Sequence, residues 1–310
     1  MNIKIDIPDS FFAEETKYDY LISNKMKKVW AIELDLLKQL EEICDKYNLC
    51  YYADSGTLIG AVRHKGFIPW DDDIDIVMKR KDFDKLIEVG EKEFKHPYFL
   101  QSGYSEVFPR GYMRLRNSDS TAITKRDYKN KINHGVFIDI FPLDNLPDDT
   151  LKRKKWCNQI KYFESLLNIG AYKSLLDCHT LFETIKFFFC KSVYNIVGYK
   201  KLFEKYNKLC SKYNNTNTLE LSYVSYSKGK AKHIWKSKWF ENRKEVQFEF
   251  MKIFIPEGYD ERLKVEYGDY MKIVHANTAH GDLILEPDIS YKKYLEDHND
   301  VEIAEILNIV

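Results

Sequence analysis

The chain has little that would assign it to an unusual compartment. Its six cysteines, at positions 44, 50, 157, 178, 190 and 210, form no CxxC pair and no metal-ligand spacing. In a chain of 310 residues they read as reduced thiols of a cytosolic protein. No run of 18 or more apolar residues occurs, which excludes a spanning helix. Met1–Glu15 carries charges throughout and has no apolar core, so a signal peptide is not expected and a cytoplasmic location is. Net charge is also missing: 48 Lys and Arg balance 48 Asp and Glu. There is then no global basic field for nucleic acid and no acidic tail. Repeats and low-complexity tracts are absent as well. Aromatics, in contrast, are abundant, with 22 Tyr and 19 Phe, and they argue for a packed chain.

Charge is concentrated in one place. Asp71, Asp72, Asp73 and Asp75 put four carboxylates into five residues. Two such charges about 5 Å apart repel by roughly 3 kcal/mol at an effective dielectric near 20. The cluster stays ionised only beside water, Arg or Lys partners, or a cation. Residues 73–78 alternate as a half-buried strand does, with Asp73 and Asp75 on one face and Ile74, Ile76 and Met78 on the other. Two carboxylates on a rigid strand form a hard-oxygen site suited to Mg²⁺ or Mn²⁺, although a bare pair is also compatible with an acidic strand edge. An EF-hand is not expected, because Ile76 stands where its glycine would be and Asp82 where its glutamate would be. Asp72 has the wrong phase for the metal face and is expected to brace the loop.

Upstream, the spacing predicts a strand over 49–53, a Ser-Gly turn and a short helix over 57–62. Ser55 and Gly56 then offer backbone N–H groups at a helix N-terminus, a seat for phosphate. No GK[ST] follows, so this is not a P-loop. Arg63 and Lys65 place positive charge just ahead of the acids. Farther along, 134–144 (HGVFIDIFPLD) is apolar on both faces and predicts a fully buried strand with one carboxylate, Asp139, at its middle. A buried carboxylate needs a partner. Either the cation at Asp73 and Asp75 or a salt bridge to Arg or Lys would supply it. In 112–117, Arg114 and Arg116 share a face; it is either a solvated strand face or a grip on pyrophosphate.

Helical periodicity covers 20–47, 81–94 and 150–212, the last of these without proline. Short strands are expected over 98–101, 112–117 and 121–125, the latter two joined by a turn at Asn117–Asp119, and another over 250–255. A helix over 258–266 and a terminal helix over 291–307 follow. The alternation of Ile3, Ile5 and Ile7 suggests an edge strand. Residues 181–206 mix apolar and Lys positions; a core-facing helix pair is the expected arrangement, with a membrane-surface contact as the other. His275 and His280 fall in a loop and read as ordinary polar residues.

The string SGTLIGAVRHKGFIPWDDDIDIVM (55–78) resembles the signature of the LicD family, phosphocholine transferases related to fukutin within the nucleotidyltransferase superfamily. HGVFIDIFPLD resembles the family's second signature, and Tyr267–Met271 its third, which would close the back of the substrate pocket. The resemblance implies an α+β fold with a mixed sheet: a nucleotidyltransferase-type core. It makes Asp139 the third carboxylate beside Asp73 and Asp75, and it favours Arg116 over Arg114 as the basic partner. The implied layout is a leader over 1–18, the catalytic core over 19–147, a helical acceptor-side region over 148–249 and a segment over 250–310 returning to the core. The implied reaction moves a phospho-alcohol from a CDP-alcohol such as CDP-choline to a hydroxyl of a glycan or lipid-linked glycan, releasing CMP. Capsule, teichoic acid and lipopolysaccharide are the acceptor types left open. Asp73, Asp75 and Asp139 would hold Mg²⁺, with Asp139 taking the acceptor's proton. Ser55 and Gly56 would seat phosphate, and Arg63, Lys65 and Arg116 would balance it. Trp70 would face a choline ammonium or else pack into the core. A transferase of NMP, a DxD glycosyltransferase and a non-catalytic relative are the competing readings; the glycosyltransferase explains Asp73 and Asp75 but neither signature.

Overall fold

The computed structural model describes residues 1–275 and 283–309; His280 lies outside them. In chain order, a hairpin of β1 (Glu15–Lys17) and β2 (Tyr20–Ile22) leads into α1 (Asn24–Tyr47), followed by β3 (Tyr51–Ala53), α2 (Ser55–Ile59) and a π turn over Gly60–His64. Next come β4 (Asp75–Lys79), α3 (Arg80–Glu93), β5 (Tyr98–Gln101), β6 (Met113–Asn117), β7 (Thr121–Thr124) and β8 (Val136–Asn145). Three helices, α4 (Thr150–Tyr172), α5 (Leu181–Val197) and α6 (Tyr199–Cys210), precede β9 (Glu220–Ser222), α7 (Val224–Ser227) and β10 (Trp235–Lys236). The chain ends with β11 (Arg243–Phe248), β12 (Met251–Pro256), α8 (Tyr259–Tyr267), β13 (Leu283–Glu286), α9 (Tyr291–Asp297) and α10 (Asp300–Ile306).

The main sheet is mixed and runs β10-β9-β8-β4-β3, with β6 also paired to β8 and β5 to β6. Its centre is β8, buried along nine of its ten residues, as its two apolar faces predict. The strand β8 runs parallel to β4 on one side and antiparallel to β6 and then β9 on the other. One face of the sheet packs on α1, whose Leu34, Leu36, Leu37 and Leu40 are fully buried. The other carries a smaller cluster around Val77, Phe141, Leu143 and Tyr223. Helices α4–α6 form a separate apolar cluster around Trp156, Phe203 and Tyr206.

Several expected elements are placed differently. Ile3, Ile5 and Ile7 form no strand. The buried Asp35 of α1 accepts the N–H groups of Lys4 (2.8 Å) and Ile5 (3.1 Å), so a side chain takes the bonds a neighbouring strand would have taken. Residues 20–22 are strand, and α1 starts only at Asn24, because Ser23 caps it by accepting the Met26 N–H. The β7 strand does not fold back on β6; it pairs with β13 far along the chain, Thr124 opposite Leu283 and Thr121 opposite Glu286. The C-terminal helix is two helices, broken where Asn299 caps the second through a capping box with Glu302. The helical region stops at Cys210: β9 enters the main sheet, and β11 pairs with β12.

Candidate active site

The acids meet because two strands run side by side. Parallel pairing sets Asp75 opposite Asp139, while Asp73 lies in the lead-in to β4. Backbone bonds fix all of this: Asp75 donates its N–H to Thr57 Oγ1 (2.8 Å), Asp139 to the Ile74 carbonyl (2.9 Å) and Asp54 to the Asp75 carbonyl (3.0 Å). Carboxylate oxygens of Asp73, Asp75 and Asp139 all lie within 4.8 Å of one another. Three hard anionic oxygens at that spacing are a donor set that fits Mg²⁺ or Mn²⁺, with positions left for water and phosphate. Asp71, Asp72 and Asp73 form a second group within the same limit, and Asp72 is buried.

Asp139 also has a protein partner. Arg114 sits directly opposite it on β6, and its Nε lies 2.6 Å from Asp139 Oδ1. The salt bridge and the carboxylate triad therefore share one residue. Arg110 pairs with Asp127 at 2.6 Å, and Arg114 approaches the same carboxylate at 3.8 Å. Burial pushes the Asp127 carboxyl up, but the two guanidinium groups outweigh it and hold it below the usual carboxylate range.

The triad forms the floor of a 250 Å³ cavity walled by Ser55, Arg110, Tyr112, Arg114, Arg126, Asp127, Phe141, Tyr223 and Tyr226. It opens into a 500 Å³ cleft that adds Gly56, Asp71, Glu164, Lys228, Lys230, Lys232, His233, Glu266 and Tyr267. Ser55 takes left-handed backbone at φ 48°, a conformation costly for a residue with a side chain and frequent at working sites. A Cβ on Gly56 would overlap the Asp71 carboxylate, so glycine is required there for the acidic loop to approach. Helix α2 is only five residues long, so its two N-terminal residues offer N–H groups to the cleft with little helix dipole behind them.

Of the other basic and aromatic candidates, none lines the cleft. Arg63 donates from Nη1 to the carbonyls of Tyr270 (2.6 Å) and Lys272 (2.9 Å). Lys65 ends the π turn at φ 57° with an exposed side chain. Trp70 stacks on His275 (4.2 Å) and meets Tyr20 edge-on. Arg116 does share its face with Arg114 but lies two residues farther from the triad, donating to Gln101 Oε1 (2.8 Å) and the Gly135 carbonyl (2.5 Å). Burial and the neighbouring Arg114 pull its pKa down to about 9. Arg114, not Arg116, is the basic residue at the acids.

Sequence reasoning missed Arg110, Arg126 and the tyrosines of the wall. Arg110, Arg126 and Tyr223 come from irregular segments and Tyr226 from α7, where no periodicity marks a side chain's direction; Tyr112 shares the alternation of Arg114 and Arg116. Tyr267, in contrast, lies in the motif over Tyr267–Met271 and lines the cleft. A buried network lies behind Tyr223, His233 and Glu266 of the lining. Arg262 binds Asp54 through Nη2 (2.7 Å) and Glu266 through Nη1 (2.7 Å). Glu266 faces His233 Nδ1 at 3.3 Å, and that nitrogen shares a 2.8 Å hydrogen bond with the Tyr223 hydroxyl.

Beside Arg116, the buried His134 ring has its Nε2 2.9 Å from the Asn130 carbonyl. Burial, reinforced by Arg116, pushes its pKa down to about 4. Unfolded, it would titrate near 6.5. The unfolded chain then binds the extra proton first, so stability from this group is complete above about pH 6.5 and lost as pH falls toward 4. We expect His134→Gln to flatten the pH 6.5-to-4 decline in unfolding free energy by roughly 3 kcal/mol. Urea titrations across that range check it; an unchanged slope would show that His134 titrates alike in the folded and unfolded chain.

Comparison with known proteins adds a family. Residues 48–166 match the nucleotidyltransferase domain described as LicD/FKTN/FKRP. Over 248 residues, covering 77% of this chain and 89% of the relative, the sequence is 28% identical to the lipopolysaccharide cholinephosphotransferase LicD of Haemophilus influenzae. An uncharacterized protein of Rickettsia prowazekii is 33% identical over 137 residues, 44% of this chain and 47% of that one. The matched domain spans the carboxylate triad, Ser55, Gly56 and Arg114.

Proposed function

We propose that the chain acts as a LicD-type enzyme, transferring phosphocholine from CDP-choline to a hydroxyl of a cell-surface glycan and releasing CMP. The observation that carries this reading is the convergence of Asp73, Asp75 and Asp139 on two adjacent strands beneath a cleft walled by arginines and tyrosines. The cell-surface lipopolysaccharide named for the Haemophilus relative is the acceptor type we favour. A nucleotidyltransferase-type core over 19–147 would bind the donor at the cytoplasmic side of the membrane. The stretch 148–249 would form the acceptor side, and 250–310 would close the core.

Asp73, Asp75 and Asp139 would hold Mg²⁺, or Mn²⁺, which supplies charge neutralisation on the diphosphate of the donor. Ser55 and Gly56 present backbone N–H groups to phosphate. Arg110 and Arg126 face the departing CMP and offset its developing charge. Asp139, paired with Arg114, would accept the hydroxyl proton of the acceptor. Tyr112, Phe141, Tyr223 and Tyr226 take the part expected of Trp70. Phe141 lies two residues beyond Asp139 on β8, on the same face and about 7 Å along the strand. Its ring lies 4.8 Å from Tyr112, 5.5 Å from Tyr223 and 5.4 Å from Tyr226. Such a wall attracts a quaternary ammonium by cation–π interaction.

The test uses purified protein, a panel of CDP-alcohols and MgCl₂, with thermal stabilisation and CMP release measured with and without EDTA. Mg²⁺-dependent stabilisation and CMP release with CDP-choline are expected. A response to nucleoside triphosphates alone would favour NMP transfer instead. In the same assay, Tyr226→Leu is expected to raise KM for CDP-choline about tenfold while changing that for CDP-glycerol little. Equal effects on both donors would remove the tyrosines from ammonium recognition.

A further inference from the structure

Helix α5 is apolar on both of its sides. Its inner side, with Phe187 and Cys190, is buried against α4 and α6. Its outer side should then be polar, as for a surface helix. Instead Leu181 (77% exposed), Phe182 (75%), Ile185 (60%), Phe189 (53%) and Ile196 (83%) stand in solvent, and Leu176, just before the helix, is 89% exposed. These positions recur at helical spacing and form one stripe. Contiguous apolar surface of this kind marks an interaction site.

The surrounding charge identifies the partner. Residues 150–212 hold 13 Lys and Arg against 4 Asp and Glu, in a chain whose total is zero. Lys154, Lys155 and Lys161 of α4 and Lys200, Lys201 and Lys205 of α6 are exposed on the two helices that pack against α5. An apolar stripe edged by lysines is the pattern of a helix lying in a bilayer interface, with aromatic and aliphatic groups in the acyl boundary and cations at anionic headgroups. Among the described residues no helix is long and apolar enough to cross a membrane, and α5 has only 17 residues.

We propose that the outward face of α5 docks this protein on an anionic lipid bilayer. The same bundle reaches the cleft: Glu164 of α4 pairs with Lys228 (2.7 Å), and Asn168 accepts from Arg126 (3.2 Å). Docking through α5 sets the cleft beside the membrane, where a lipid-linked acceptor is presented. The docking does not rest on the phosphocholine reading.

Co-sedimentation of the full chain with vesicles tests it, using phosphatidylcholine with and without phosphatidylglycerol. We expect at least about tenfold more bound protein on the anionic vesicles, weakened by salt. The variant Phe182→Ser/Ile185→Ser/Phe189→Ser is expected to lose that binding about tenfold with an unchanged unfolding temperature, since the three side chains are exposed. Lys200→Glu/Lys201→Glu should weaken anionic binding alone. Equal binding by wild type and the triple variant would overturn the proposal. So would a dimer in sedimentation velocity that the triple variant abolishes, with no vesicle binding; that result would assign the stripe to a second copy.

Discussion

Asp75→Asn is expected to lower turnover on the order of a thousandfold while the unfolding temperature stays level or rises. The two halves of that result have separate causes. Asparagine keeps the shape of the side chain, and backbone bonds to Thr57 Oγ1 and through pairing with β3 and β8 hold residue 75 in place. Position 75 is half-buried, so no apolar packing is lost. What disappears is one of three like charges confined within 4.8 Å, and with it part of their mutual repulsion. The same charge is needed whenever a cation is held, so stabilisation by MgCl₂ should vanish together with turnover. Asp139→Asn should behave differently, because it also removes the charge that pairs with the buried Arg114 at 2.6 Å. That variant should lose both activity and stability. Calorimetry with and without MgCl₂, beside a CMP-release assay, distinguishes the two. Substantial activity in Asp75→Asn would sink the assignment of the triad as the metal-binding centre.

The part of the site legible in the sequence is the part written in strand periodicity. Alternation across 73–78 put Asp73 and Asp75 on one face, and the unbroken apolar run around Asp139 required burial with a partner. Parallel pairing of the two strands brings them together, and that pairing is a long-range event no local pattern encodes. The choice between Arg114 and Arg116 shows the limit. Both sit on the same face of β6, so alternation cannot separate them. Register alone does, setting Arg114 opposite Asp139 and Arg116 opposite Phe137. Arg63, Lys65 and Trp70 lie close to the acids in sequence but sit on the π turn and the loop after it, which direct Arg63 and Trp70 toward 270–275 and leave Lys65 exposed, away from the cleft. Tyr226 arrives from α7 and Tyr223 from the residue before it, neither with a periodic signal, whereas Tyr112 shares the alternation of Arg114 and Arg116. The pairing of β7 with β13 was illegible for a related reason: a turn at Asn117–Asp119 reads as a hairpin, yet tertiary contacts with the C-terminal segment win.

Arg262→Met should cost about 3–5 kcal/mol at neutral pH, the largest stability loss expected from a residue outside the carboxylate triad and its Arg114 partner. Arg262 and Asp54 are both fully buried, and Glu266 is nearly so. Methionine fills similar volume without charge and leaves two carboxylates facing one another inside the protein. Burial already raises the Asp54 carboxyl above its ordinary range, with Arg262 only moderating the rise. Without the arginine that carboxyl rises further, and the folded state then holds a proton the unfolded chain has released. A raised folded pKa gives stability that is present at low pH and lost as pH rises through it. The deficit of Arg262→Met should therefore shrink as pH falls from 7 toward 5, opposite in direction to the effect of His134. A further change of Asp54→Asn should recover part of the loss at pH 7 and remove most of that pH dependence, since asparagine needs no counter-charge. Asp54 donates its N–H to the Asp75 carbonyl and stands next to Ser55, so the single variant should also lose activity through displacement of the phosphate seat. Chemical denaturation of the two variants and the wild type at pH 5 and 7 measures all of this. A deficit that is independent of pH, or unrelieved by Asp54→Asn, would show that Arg262 acts through its packing over Trp235, where its guanidinium lies 3.8 Å from the ring centre, and not through charge.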